Sequence, residues 1–254
     1  MGIVDGKTAI VTGGAKGIGI AYVEALAAAG ATVVIADIVT GEHAIAKVAA
    51  STPDATVIDL PTDISDETGV EKLVSAVMAR TGRIDILVNN AAMFATLPVA
   101  RFDEIDVGLW DKVMAVNVRG TFLMAKHVAP HMIARKSGKI INISSGTAYK
   151  GMPFMLHYVT SKGAVVSFTR ALSRELGAHG ICVNTLAPGL IMSDSIVANE
   201  EHIAAARDKV VASRAIQRDA YPEDLIGALL FLASPASDFV TGQTIAVDGG
   251  SINT

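Results

Sequence analysis

The stretch Thr8–Gly30, TAIVTGGAKGIGIAYVEALAAAG, decides the fold. It opens with five residues rich in β-branched side chains, crosses a glycine cluster, and ends in an alanine-rich apolar run of helix length. The glycines at Gly13, Gly17 and Gly19 read G-x3-G-x-G, a departure from the G-x-G-x-x-G phosphate-binding pattern that meets the same need. Glycine permits a tight strand-to-helix turn and close backbone approach, and the helix N-terminus that follows favours a phosphate. Gly13, Lys16, Gly17, Ile18 and Gly19 are therefore expected to hold a nucleotide.

The same alternation runs outward along the chain. Strands are expected at Thr8–Thr12, Thr32–Ala36, Thr56–Leu60, Ile84–Asn89, Lys139–Ser144, Ile181–Ala187 and Thr244–Val247. Helical patterns fall near Ile18–Ala29, Gly41–Ala50, Asp66–Thr81, Trp110–Lys136, Tyr158–Ala178 and Pro222–Ala233. Strands that alternate with helices imply βαβ units. The expected fold is α/β, a Rossmann-type doubly wound, seven-stranded parallel sheet with helices on both faces. No repeat or linker divides residues 1–254, so one domain is expected. An excursion near 190–217, helical around Glu200–Ser213, has the length of a lid or binding segment.

Composition narrows the function. The 254 residues are 51% hydrophobic and 18% charged, enough apolar material for a large core. A net charge of −4 without a basic block argues against nucleic acid as a partner. No apolar run reaches membrane-spanning length, and the start carries no secretory pattern, so a soluble cytoplasmic protein is expected. The lone Cys182 excludes an intramolecular disulfide. His127 and His131 are four apart, but HVAPH lacks the glutamate of H-E-x-x-H, and no metal is expected.

Two further features carry chemistry. Asp37 ends the second strand, where a carboxylate accepts hydrogen bonds from a ribose and repels a 2′-phosphate. It favours NAD over NADP, while Lys16 pulls the other way. Tyr158 and Lys162 lie four residues apart, on one face of a helix, with Ser145 thirteen positions upstream. A cation about 4 Å from a phenol at an effective dielectric of ~20 contributes roughly 4 kcal/mol, about three pKa units towards the phenolate. Such a tyrosine exchanges protons near neutrality, as alcohol oxidation requires.

Taken together, TGGAKGIG, the NNAA that contains Asn90, MAVNVRG, INISS, YVTSK, NTLAPGLIMS and GQTIAVDGG resemble the short-chain dehydrogenase/reductase family over essentially the whole chain. The resemblance implies a general acid/base at Tyr158, with Lys162 lowering its pKa and meeting the nicotinamide ribose. It implies that Ser145 holds the substrate oxygen, Ser144 being the rival, and that Asn117 positions a water beside Lys162. The implied cofactor set adds Asp37, Ile38, Asp63, Ile64, Asn90, Ala91, Pro188, Gly189, Ile191 and Ser193. Asp63 serves either the adenine or its own loop turn. Ala92 stands where the family has glycine, which narrows the loop or the pocket.

Substrate contacts are expected from Ser145, Thr147, Tyr149, Phe154, Tyr158 and Leu190, with Met93, Phe94, Met152, Met155 and Met192 as further lining. His157 is expected at the rim or in a structural role. With no arginine in this set, the implied substrate is a neutral, fairly hydrophobic secondary alcohol or ketone, cyclic or aryl-substituted. The alternatives are a 3-oxoacyl thioester reductase of the same family and a non-enzymatic nucleotide-binding scaffold. The resemblance also implies a homotetramer, through the long helices Trp110–Lys136 and Tyr158–Ala178 and the C-terminal strand and tail.

Overall fold

The computed structural model describes residues 2–197 and 207–252. Seven strands form one sheet: β1 (Thr8–Thr12), β2 (Thr32–Ala36), β3 (Val57–Asp59), β4 (Ile86–Asn89), β5 (Gly138–Ile143), β6 (Ile181–Pro188) and β7 (Thr244–Val247). Their order is β3-β2-β1-β4-β5-β6-β7, and every pairing is parallel. The order reverses between β1 and β4. A doubly wound sheet opens a crevice at that point, at the carboxyl ends of its strands.

The helices are α1 (Ile18–Ala28), α2 (Glu42–Ser51), α3 (Glu67–Thr81), α4 (Val107–Met114), α5 (Thr121–Arg135), α6 (Thr147–Lys150), α7 (Leu156–Leu176), α8 (Asp194–Val197), α9 (207–212) and α10 (Ile226–Ala233). Residues 198–206 of the expected Glu200–Ser213 helix lie outside the described residues. A parallel sheet covered on both faces needs strands apolar on both sides. Here Val11, Val33 and Ile35 face a core with Val23, Leu26, Val48 and Leu229 from α1, α2 and α10. Ile10, Val34 and Leu87 face the opposite core, with Leu73, Val77, Leu123, Val128 and Met132 from α3 and α5.

One polar chain crosses this apolar interior. Asn89 Nδ2 donates to Asn142 Oδ1 at 2.8 Å, and Asn142 Nδ2 donates to Thr169 Oγ1 of α7 at 2.8 Å. Thr185 Oγ1 completes it by donating to the same Thr169 oxygen at 2.8 Å, so β4, β5, β6 and α7 are tied together.

The expected Trp110–Lys136 helix begins earlier and is interrupted. Asp106 caps α4 by accepting from Leu109 N, and Ala115–Gly120 winds as a π-helix before α5 resumes. Such widened turns often mark functional positions. Asn117 is in this one.

Candidate active site

The glycine loop is packed so closely that only glycine fits. Gly13 has φ 63°, and a Cβ there would stand 2.8 Å from Ala91 Cα. A Cβ on Gly19 would stand 1.9 Å from Gly13 O. Asn90 fastens the loop to β4: its Nδ2 donates to Thr12 O and Gly13 O, each at 3.0 Å. Helix α1 then starts at Ile18 with neither a side-chain cap nor an acidic residue in its first turn, which leaves its positive end to a ligand. Asp37 Oδ2 accepts from Ala15 N at 3.1 Å, setting a carboxylate beside the loop. A cavity of about 1180 Å³ opens above these residues. Its glycine walls and uncapped helix end fit a dinucleotide.

Every residue expected to touch the cofactor lines this cavity: Gly13 to Gly19 through Lys16, Gly17 and Ile18; Asp37 and Ile38; Asp63 and Ile64; Asn90 and Ala91; Tyr158 and Lys162; and Pro188, Gly189, Ile191 and Ser193. Asp63 also serves its own turn, accepting from Ser65 N at 2.8 Å and Ser65 Oγ at 2.7 Å.

The reactive end is built by β5 and α7. Tyr158 and Ser145 both line the cavity, and the serine hydroxyl draws the phenol's pKa down. Ser145 Oγ also accepts from Thr147 Oγ1 at 3.0 Å. Ser144 also borders the cavity, but its Oγ donates to Lys162 O at 2.8 Å, so it anchors α7. Phe94 stacks on Tyr158 with ring centroids 4.5 Å apart. Lys162 Nζ donates to Ile143 O at 2.8 Å and lies 5.7 Å from the Tyr158 ring centroid.

Electrostatics here differ from the sequence expectation. Burial pushes the Tyr158 phenol up to about 12, and the Ser145 hydrogen bond only partly opposes it. Burial likewise brings Lys162 down to about 8. Both side chains have lost most of their hydration, and the ammonium points to a carbonyl. Desolvation therefore outweighs the attraction expected from helical spacing alone.

Asn117 does not line the cavity. Its Oδ1 accepts from Met93 N at 2.8 Å, while its Nδ2 donates to Met93 O at 3.2 Å and Ser161 Oγ at 3.0 Å. It thus splints the loop after β4 to α7, one residue from Lys162. Among the expected substrate contacts, Thr147 and Leu190 line the cavity, as do Met93, Phe94 and Met152. Tyr149 and Phe154 do not. Tyr149 Oη donates to Thr244 Oγ1 at 2.8 Å, and Phe154 is 53% exposed. His157 is fully buried, which fits the structural role and not the rim, its Nδ1 accepting from Tyr158 N at 2.9 Å. His127 pairs with Glu67 at 3.1 Å, and Lys126 holds the same carboxylate.

Sequence reasoning missed Lys112, Lys150, Val210, Arg214, Asp248 and Ser251, all on the cavity wall. GQTIAVDGG flagged the region of Asp248 without a role. Nothing local to Lys150 or Arg214 signals where the chain carries them.

A family model described as enoyl-(acyl carrier protein) reductase matches residues 13–251. The chain belongs to the short-chain dehydrogenase/reductase family. This short-chain dehydrogenase/reductase is 40% identical to sorbitol dehydrogenase of Cereibacter sphaeroides, over 98% of each chain. It is 38% identical to 2-dehydro-3-deoxy-D-gluconate 5-dehydrogenase of Escherichia coli (strain K12), over 97% of this chain and 96% of that one. The crystal structure of levodione reductase superposes with a TM-score of 0.91 at 29% identity, covering 96% of this chain and 97% of the other. The protein is an alcohol/ketone oxidoreductase.

Proposed function

We propose that this oxidoreductase is NAD-linked and moves a hydride reversibly between the coenzyme and a small secondary alcohol or ketone. The observation that carries the reading is that Tyr158, Ser145 and Lys162 share the wall of one cavity with the glycine loop. Nicotinamide, when bound, supplies the hydride-exchanging carbon and a positive charge. In oxidation, Tyr158 Oη takes the substrate's hydroxyl proton, and in reduction it returns it. Ser145 Oγ donates to the substrate oxygen as charge develops there. Lys162, fixed by Ile143 O, favours the phenolate across the gap to the ring.

Asp37 supports NAD, since its fixed carboxylate stands where a 2′-phosphate would crowd it. Kinetics with NADH and NADPH test this in the parent and in Asp37→Ser. A strong preference for NADH that collapses in the variant supports the assignment, and equal use by the parent overturns it. The wall beside Tyr158, made of Met93, Phe94, Met152 and Leu190, suits an apolar group next to the carbinol. The relatives' names span a polyol, a sugar acid and a dione, which supports the reaction class and leaves the substrate to the pocket.

A homotetramer belongs to the same reading. Val107 and Phe122 are 72% and 47% exposed on the α4–α5 surface, as an interface through that long helix requires. No described helix is long and apolar enough to cross a membrane. The lone buried Cys182 supports a reducing, cytoplasmic setting.

A further inference from the structure

Three segments distant in sequence meet at the far end of the cavity. Lys150 ends α6, just after the catalytic-side loop of Ser145, and its Nζ donates to Ser251 Oγ. Ser251 follows β7, and its Oγ lies 2.6 Å from Ser213 Oγ at the end of α9. Arg214 comes next and is 3% exposed. Lys150, Arg214 and Ser251 all line the cavity.

Among the described residues the charges there are unbalanced. Arg214 Nη1 donates to Arg218 O at 2.6 Å and Nη2 to Leu190 O at 2.7 Å, while its buried Nε has no partner. The carboxylates that feel its field, Asp219 and Asp224, are already clasped by Arg207 and Arg218. Lys150 is held by a neutral hydroxyl. Against these two cations the same wall offers one carboxylate, Asp248, whose Oδ1 accepts from Gly250 N and Ser251 N, each at 3.0 Å, and whose buried Oδ2 has no hydrogen-bond partner. With one carboxylate against a buried guanidinium and an exposed ammonium, this wall keeps a net positive charge and gains by taking an anion.

We propose that this end of the cavity is a carboxylate subsite. The substrate is a secondary alcohol or ketone that also bears a carboxylate, received by the Lys150 ammonium and the Ser251 hydroxyl in the field of Arg214. Its apolar middle lies along Phe94, Met152 and Leu190. The neutral substrate expected from sequence assumed a site without arginine, and Arg214 reaches the cavity only through the excursion. The proposal rests on the alcohol/ketone reading above.

Turnover of 3-hydroxybutanoate, 4-hydroxypentanoate and 5-hydroxyhexanoate, each beside its methyl ester, tests it. The expected result is a kcat/KM for at least one acid roughly tenfold or more above its ester, the worth of a charge-assisted hydrogen bond. In Lys150→Met that ratio falls towards one, mainly through KM of the acid, and Lys150→Arg restores it. Esters turned over as well as every acid, a ratio unchanged in Lys150→Met, or a neutral polyol such as sorbitol preferred over all the acids would overturn the subsite alone. Failure of every alcohol with both NAD and NADP would overturn the parent reading as well.

Discussion

Tyr158 and Lys162 are both sheltered from water, and each is held away from its charged form. Tyr158→Phe is expected to lower kcat by 10²- to 10⁴-fold, the usual contribution of a positioned acid or base, with coenzyme affinity nearly unchanged by fluorescence titration. A variant with parental kcat would refute the proton-transfer role. Lys162 gives a stability prediction of opposite sign. Its fall from 10.5 to about 8 corresponds to about 3 kcal/mol of penalty for the buried ammonium. A lowered folded pKa means stability that is fully present above 10.5 and lost as pH falls through about 8. Coenzyme-free Lys162→Met should therefore melt several degrees higher than the parent at pH 7, with the advantage gone near the ordinary lysine value, while turnover disappears. Equal melting temperatures at neutral pH would show that the ammonium carries no such cost. The residues of this site were legible because one helical turn separates Tyr158 from Lys162. Their shared desolvation was not, since it comes from Phe94 and β5, distant in sequence.

At the scale of elements, the glycine loop and the π-helical turn do the positioning. Gly19→Ala would drive a methyl group into Gly13 O, which is backbone and cannot rotate away. Coenzyme binding measured by calorimetry should be lost or severely weakened, and near-parental affinity would contradict the packing. Asn117→Ala should free the Met93 segment from α7 and lower kcat roughly a hundredfold, as small misplacements at a reacting centre do. Faster hydrogen exchange around Met93–Leu97 would accompany it if Asn117 acts as a splint. Strand positions were readable from β-branched runs, and the start of α1 from its glycine signal. The π-turn was not, because AVNVRG has the pattern of an ordinary helix. Tyr149 and Phe154 were misplaced for a related reason: α6 turns Tyr149 towards β7, and Phe154 takes a positive φ of 66° that points it outward.

For the molecule as a whole, stability and chemistry sit at opposite ends of the sheet. Asp85, 5% exposed just before β4, is held by Arg83 at 2.6 Å and Arg135 at 3.1 Å and accepts from Thr8 N at 2.9 Å. Burial raises its pKa, but these partners outweigh it and leave the carboxyl below its ordinary value. Asp85→Ala leaves Thr8 N and two partly exposed guanidinium groups without their carboxylate and should cost about 1–3 kcal/mol in denaturant titration, with kcat retained where the protein is folded. The parent's contribution from this group should vanish only as pH drops through that lowered value. The seven strands and their winding were legible because apolar runs repeat with helices between them. The convergence of Lys150, Arg214 and Ser251 was not, since three chain crossings must be complete before they meet.

The chain of side-chain amides and hydroxyls through Asn89, Asn142, Thr169 and Thr185 also bears on how the sheet is assembled. Sliding β5 by one residue would turn Asn142 to the opposite face and strand its partners in hydrocarbon. Each orphaned group would cost about 1–3 kcal/mol. Mis-threaded versions of the central sheet are thereby rejected during folding, and the carboxyl ends that carry Asn90, Ser145 and Pro188 arrive level with one another.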